Sequence, residues 1–147
     1  MKNIIRNIAQ EIADEKKLLL INMVKSGSNK KPGFEIYIDG KNGINANDCA
    51  DFSREFKNKL EQTEYAELDY KLVVSSPGID ESIKFLDQYL KHINRDFKLS
   101  YDDGEKINSI EAKLINVIDD NLIFRFKNEE ISLKFNNVKK AKVKISF

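Results

Sequence analysis

The sequence predicts an α+β fold in two parts: an α-β-β-α-β unit over residues 1–82, then a small closed β-barrel over residues 83–147. Three observations predict it. Apolar residues recur at three- and four-residue steps in two early segments, which is the spacing of a helix face. The stretch Ser75-Ser76-Pro77-Gly78 is a hard stop, because Pro lacks a ladder donor and Gly permits a turn. Beyond residue 92 the apolar period changes to two, and short strand patterns alternate with turn residues.

Residues 2–15 read as the first helix, with Ile4, Ile5, Ile8 and Ile12 on one face and Arg6, Asn7, Gln10, Glu11 and Asp14 between them. Leu18–Lys25 is a strand. Ser26–Gly33 is a polar loop, and Phe34–Asp39 returns as a strand with Phe34, Ile36 and Ile38 alternating inward. Asp39-Gly40 and Asn42-Gly43 mark a turn. Residues 46–62 form the second helix, N-capped by Asn45 with Asp48 as the reciprocal capping residue. Cys49, Phe52, Phe56 and Leu60 line its apolar face, and Leu68–Ser75 is the third strand. These elements predict a small sheet with both helices on one face.

A short helix over residues 82–92 carries Phe85, Leu86, Tyr89 and Leu90. Five strand patterns follow: Phe97–Tyr101, Ile110–Ile118, Leu122–Phe126, Glu130–Phe135 and Lys140–Ile145. Asp102-Asp103-Gly104, Asp119-Asp120-Asn121, Lys127-Asn128-Glu129 and Asn136-Asn137 separate them. Short strands with tight turns predict a barrel, because closure removes exposed edges.

Of the 147 residues 41% are hydrophobic, enough for ordered cores. The longest apolar run, Leu18–Ile21, is far short of the ~20 residues of a membrane span. No apolar leader with a small-residue cleavage site is present, and Cys49 has no second cysteine to pair with. These features predict a cytoplasmic, reduced protein with no membrane partner. The net charge of +1 conceals an asymmetry: residues 1–90 sum to −2 and residues 91–147 to +3. Residues 134–147 hold five lysines and no acid, which points to a polyanion partner. Lysine outnumbers arginine 21 to 4 beside 15 Asn, the usage of an AT-rich genome, so the lysine count by itself carries less weight.

Enzyme chemistry finds little support in these residues. His92 is the only histidine and falls at a helix end, where an imidazole meets the dipole. Cys49 sits on an apolar helix face and reads as a buried structural thiol. No phosphate-binding Gly-x-x-x-x-Gly-Lys loop and no nucleophile elbow occurs. The sequence therefore predicts no catalytic residue, no cofactor and no metal. Gly40-Lys41-Asn42-Gly43 has the form of a KH-type Gly-x-x-Gly, but it joins a strand to a helix rather than two helices, and reads as a turn. Lys140, Lys142 and Lys144 alternate with Ala141, Val143 and Ile145, so one strand face carries three ammoniums, with Lys139 and Lys134 nearby. Two readings stay open: a docking strip for phosphates, or lysines guarding a sheet edge against aggregation.

The stretch Tyr37–Ser53, with Asp39-Gly40 and Asp48-Cys49-Ala50, resembles a signature of the ribosome maturation factor RimP family. So does Leu72-Val73-Val74-Ser75-Ser76-Pro77-Gly78-Ile79-Asp80, and Ala141-Lys142-Val143-Lys144 fits the family's ending. The resemblance runs over nearly the whole chain, in order and at matching spacing. It implies an α/β N-terminal domain and a C-terminal SH3-like (Sm-like) barrel. It also implies a non-catalytic factor for late assembly of the 30S subunit. The partners it implies are the free 30S subunit, the 16S rRNA and the small-subunit ribosomal protein numbered twelve, met by a monomer. On this reading Lys139, Lys140, Lys142 and Lys144, with Ser75, Ser76, Pro77, Gly78 and Asp80, are candidate ribosome or RNA contacts. Asp39 and Asp48, flanking one turn, are candidate contacts to a basic ribosomal protein, and Pro77 and Gly78 also direct the linker. The alternative is a general RNA-binding adaptor with an Sm-like barrel. Two departures stand out: Glu81-Ser82 replaces the family's common Arg-Pro, and Lys16-Lys17 stands where a Gly often ends the first helix.

Overall fold

A computed structural model of the chain describes residues 1–77 and 82–144. The chain divides into two compact units, Met1–Pro77 and Gly78–Phe147.

The first unit runs α1 (Lys2–Lys16), β1 (Leu19–Gly27), β2 (Pro32–Asp39), α2 (Ala46–Leu60) and β3 (Lys71–Ser75). Its sheet has the order β1-β2-β3, with β1 antiparallel and β3 parallel to β2. Ile5, Ile8 and Ile12 of α1, Phe52, Phe56 and Leu60 of α2, and Phe34, Ile36 and Ile38 of β2 form one buried cluster. Both helices therefore cover one sheet face, as the period-two pattern of β2 requires. Phe34, Phe56 and Tyr70 meet at ring-centroid distances of 6.1–6.4 Å, the tilted and edge geometries favoured by aromatic quadrupoles. The opposite face carries Val24, Glu35 and Val73 side by side, all exposed.

Local chemistry explains the boundaries. At the end of α1, Lys17 takes a left-handed conformation (φ +58°), and the N–H of Leu18 closes back on the Ala13 carbonyl at 2.8 Å. The turn usually favours Gly, whose place Lys17 occupies here. The β1–β2 ladder continues through Ser26 opposite Gly33 and Gly27 opposite Pro32, so the loop is shorter than the polar run predicts. Gly27 makes this possible: at φ +73° a Cβ would lie 2.7 Å from the Lys31 carbonyl oxygen.

Helix α2 starts in the reciprocal cap that the sequence predicts. The Asn45 side chain accepts from the Asp48 N–H, and the Asp48 carboxylate accepts from the Asn45 N–H, both at 2.9 Å. Asn45→Ala leaves one orphan N–H and is expected to lower the stability of the first unit by about 1 kcal/mol. Urea denaturation with an unchanged slope checks this; a midpoint equal to wild type would show that the cap contributes nothing.

The second unit holds a 3₁₀ helix (Leu86–His92) and the strands β4 (Asp96–Asp102), β5 (Ile107–Ile118), β6 (Asn121–Phe126), β7 (Glu129–Lys134) and β8 (Val138–Val143). A second 3₁₀ turn, Phe135–Asn137, joins β7 to β8. The short helix expected over residues 82–92 is a 3₁₀ helix beginning at Leu86. Buried Gln88 explains its start, since its Oε1 accepts from the N–H groups of Lys84 and Phe85 at 2.8 and 3.0 Å.

The five strands form one antiparallel sheet in the order β7-β6-β5-β4-β8. Hydrogen bonding joins neither edge strand to the other among the described residues, so the predicted closed barrel is corrected to an open five-stranded sheet. Phe97, Leu99, Ala112, Leu114, Leu122, Phe124, Ala141 and Val143 form its core with Tyr89. Tyr89 stacks on Phe97 at 5.7 Å, and burial pushes its hydroxyl pKa up. At the β4–β5 turn the Asp103 carboxylate accepts from the N–H groups of Lys106 and Glu105 and from the Asn108 amide, and these bonds hold its pKa at about 2.

Candidate nucleic-acid interface

Alternation along β8 sends Ala141 and Val143 into the core and Lys140 and Lys142 to the other face. Register then decides their neighbours. Strand β4 lies between β8 and β5, with Lys142 opposite Lys98 and Lys98 opposite Glu111. One row on, Lys140 lies opposite Ser100, and Ser100 opposite Ser109. Directly paired residues share a sheet face with Cβ atoms roughly 5 Å apart. The two rows line a cavity of about 420 Å³, completed by Leu99 and Ile110. Ser100 and Ser109 are hydrogen-bonded to each other at 3.0 Å, which leaves one hydroxyl proton of the pair free to donate. Lys98, Lys140 and Lys142 make no ion pair with any carboxylate among the described residues.

Lys144 differs from them. Its Nζ donates to Glu111 Oε2 at 2.9 Å, and this bond raises the lysine's pKa and lowers that of the carboxyl. Lys139 is displaced from the row by a bulge in the β4–β8 ladder and donates weakly to the Asn136 carbonyl at 3.5 Å. It lines a separate cavity with Ser82, Ile83, Tyr89 and Phe135. The structure therefore brings together Lys140 and Lys142, ties Lys144 to an acid, and sets Lys139 apart. Lys98, Ser100 and Ser109 are the members that the sequence pattern did not single out. Lys98 and Ser100 alternate with Phe97 and Leu99, so their outward direction was readable, but not their neighbours.

The remaining candidates lie in the first unit or at its end. Ser75 is half-buried, with its hydroxyl donating to the Ser76 carbonyl at 2.9 Å; Ser76 is exposed and Pro77 half-buried. Gly78 and Asp80, and the Glu81 of the family departure, lie outside the described residues. Asp48 is half-buried and engaged in the α2 cap. Asp39 is 1% exposed, and its Oδ1 accepts from the Gly40 N–H at 2.9 Å. The expectation that Asp39 presents its charge to a partner protein is corrected accordingly: the chain turns back at Gly40 and encloses the carboxylate.

Cys49 is half-buried rather than fully buried, and burial, then the charge of Asp48, pushes its thiol pKa up. A thiol held in that direction is a poor nucleophile. Gly40–Gly43 closes as a turn, with the Gly43 N–H donating to the Gly40 carbonyl at 3.0 Å. His92 meets the edge of Phe97 at 6.1 Å and has Arg95 beside it at 3.5 Å. Among the described residues no group of three His, Cys, Asp or Glu side chains is placed to hold a metal, and no helix is long and apolar enough to cross a membrane.

Fold and face together define a two-unit α+β chain whose second unit carries a lysine-lined sheet surface. Residues 8–80 match a family model described as the RimP N-terminal domain. The chain is 32% identical over 123 residues to the ribosome maturation factor RimP of Flavobacterium psychrophilum, an alignment spanning 84% of this chain and 73% of that protein. The chain belongs to the RimP family.

Proposed function

We propose that this chain is a maturation factor of the small ribosomal subunit, working in the cytoplasm by binding alone and without a cofactor. The kinship with a protein named for ribosome maturation carries this reading. On it, a monomer binds the free 30S subunit and meets 16S rRNA through the face of Lys98, Lys140 and Lys142. The small-subunit protein twelve is the protein partner, and exposed Ser76 remains available to it. Lysine is a flexible point charge, so the contacts fall on phosphates rather than on base edges.

The second unit is read as an SH3-like domain whose sheet stays open between β7 and β8. What supports this is its strand order, with the last strand paired to the first and a 3₁₀ turn before it. The two units are read as independently folding domains, 1–82 and 83–147, each with its own apolar cluster. The Ile83 N–H donates to the Ala141 carbonyl at 2.8 Å, which ties the chain to the second domain from that residue on.

Ribosome profiles of cells lacking the protein test the reading. Excess free subunits and accumulated 16S precursor are expected. A normal profile with normal 16S processing would overturn it, and would favour a general RNA-binding adaptor if the purified protein still bound RNA.

A further inference from the structure

Among the described residues Glu111 is the only acid lining the basic cavity, and it stands in the row Lys142, Lys98, Glu111. Its carboxylate holds the Lys144 ammonium at 2.9 Å, with the two side chains 55% and 45% exposed. A carboxylate oxygen and a phosphate oxygen offer an ammonium the same kind of charge-assisted bond. The pair therefore gives Lys144 an internal anion of the kind a backbone phosphate would supply.

We infer that Glu111 is a specificity-determining residue of the basic face, holding Lys144 in place of a phosphate until an RNA backbone displaces it. This rests on the reading of that face as an RNA contact. Half-exposed ion pairs are weak, so the exchange is within reach of a strand already anchored nearby. Lys98, Lys140 and Lys142 supply that anchor, having no carboxylate of their own at ion-pair distance. An isolated anion gains only one site and must compete with Glu111 for it. A continuous backbone reaches the free lysines first and then presents its next phosphate to Lys144. Glu111 thereby favours extended polyanions over single phosphates.

Binding of a fluorescently labelled oligouridine over a salt series tests this with Glu111→Gln, Lys144→Gln and the double variant. Gln keeps the size of either side chain at a half-exposed position, so folding is little affected. Glu111→Gln is expected to tighten binding roughly two- to fivefold at low salt, the range of an exposed ion pair. The log–log salt slope should stay as in wild type, because Lys144 meets a phosphate in both complexes, whereas Lys144→Gln should make it shallower by about 0.7. In the Lys144→Gln background Glu111→Gln should tighten binding much less than in wild type. Equal tightening in both backgrounds would mean that Glu111 acts only through its general field, and would overturn the inference. So would a wild-type slope in Lys144→Gln. If replacing Lys140 and Lys142 with Gln also leaves oligouridine affinity unaltered, the basic-face reading itself fails. If that replacement weakens binding while Glu111→Gln has no effect, only the role of Glu111 fails.

Discussion

Lys98→Gln, Lys140→Gln and Lys142→Gln in combination are expected to make the log–log salt slope of RNA binding shallower by about 2, at ~0.7 per single-strand phosphate contact. Three unpaired ammoniums on adjacent strands act on one stretch of backbone, and Gln preserves length and strand pattern while removing their charge. The set differs from the sequence-derived strip of Lys140, Lys142 and Lys144, because Lys144 is engaged by Glu111. An edge-guard role predicts another result. Strand β8 is an edge of the sheet, and lysines there could serve to keep other chains from pairing with it. In that case affinity and slope stay constant and light scattering rises. A monodisperse triple variant with a wild-type slope would remove this face from the binding surface.

Phe97→Ala is expected to cost ~3–5 kcal/mol, the range for emptying a fully buried aromatic site. Phe97 is 0% exposed; it stacks on Tyr89 and presents or receives ring edges with Phe124 and His92 at 5.7 and 6.1 Å. At about 0.05–0.15 kcal/mol per residue, a unit of this size has roughly 4–10 kcal/mol in total. The second unit should therefore lose a large part of its stability and unfold on warming at a temperature where the wild-type unit stays folded. The first should remain folded, since none of its buried cluster belongs to the second. Amide spectra check both statements: signals from residues 1–77 should keep their dispersion while those of β4–β8 collapse. Joint loss of both sets would show that the two units fold as one.

What could be read from the sequence was whatever a single element determines by itself. The helix faces, the Asn45–Asp48 cap and the inward set Phe34, Ile36 and Ile38 depend only on local spacing, and the structure has each of them. Pairing information was not local. Lys98 and Ser100 were visible as outward residues, but only register places them between Lys142 and Glu111, and between Lys140 and Ser109. The bulge that sets Lys139 apart is likewise a property of two strands. Asp39 shows the limit of period-two counting: it alternates outward in β2, yet the turn at Gly40 begins at once and buries it. Strand β5 starts at Ile107 rather than Ile110, because Asn108 and Ser109 are poor strand formers that the Asp103 turn nevertheless brings opposite Tyr101 and Ser100. Closure of a barrel depends on how strands at the two ends meet, which no spacing within a strand encodes.

Sedimentation of cell extracts through a sucrose gradient tests most directly whether the chain serves the immature small subunit. The wild-type protein is expected in the free 30S fractions and absent from 70S ribosomes, and the variant lacking the Lys98, Lys140 and Lys142 charges is expected to shift toward the top of the gradient. Wild-type protein distributed equally over 30S, 70S and polysomes, or found only at the top, would contradict a role in subunit maturation.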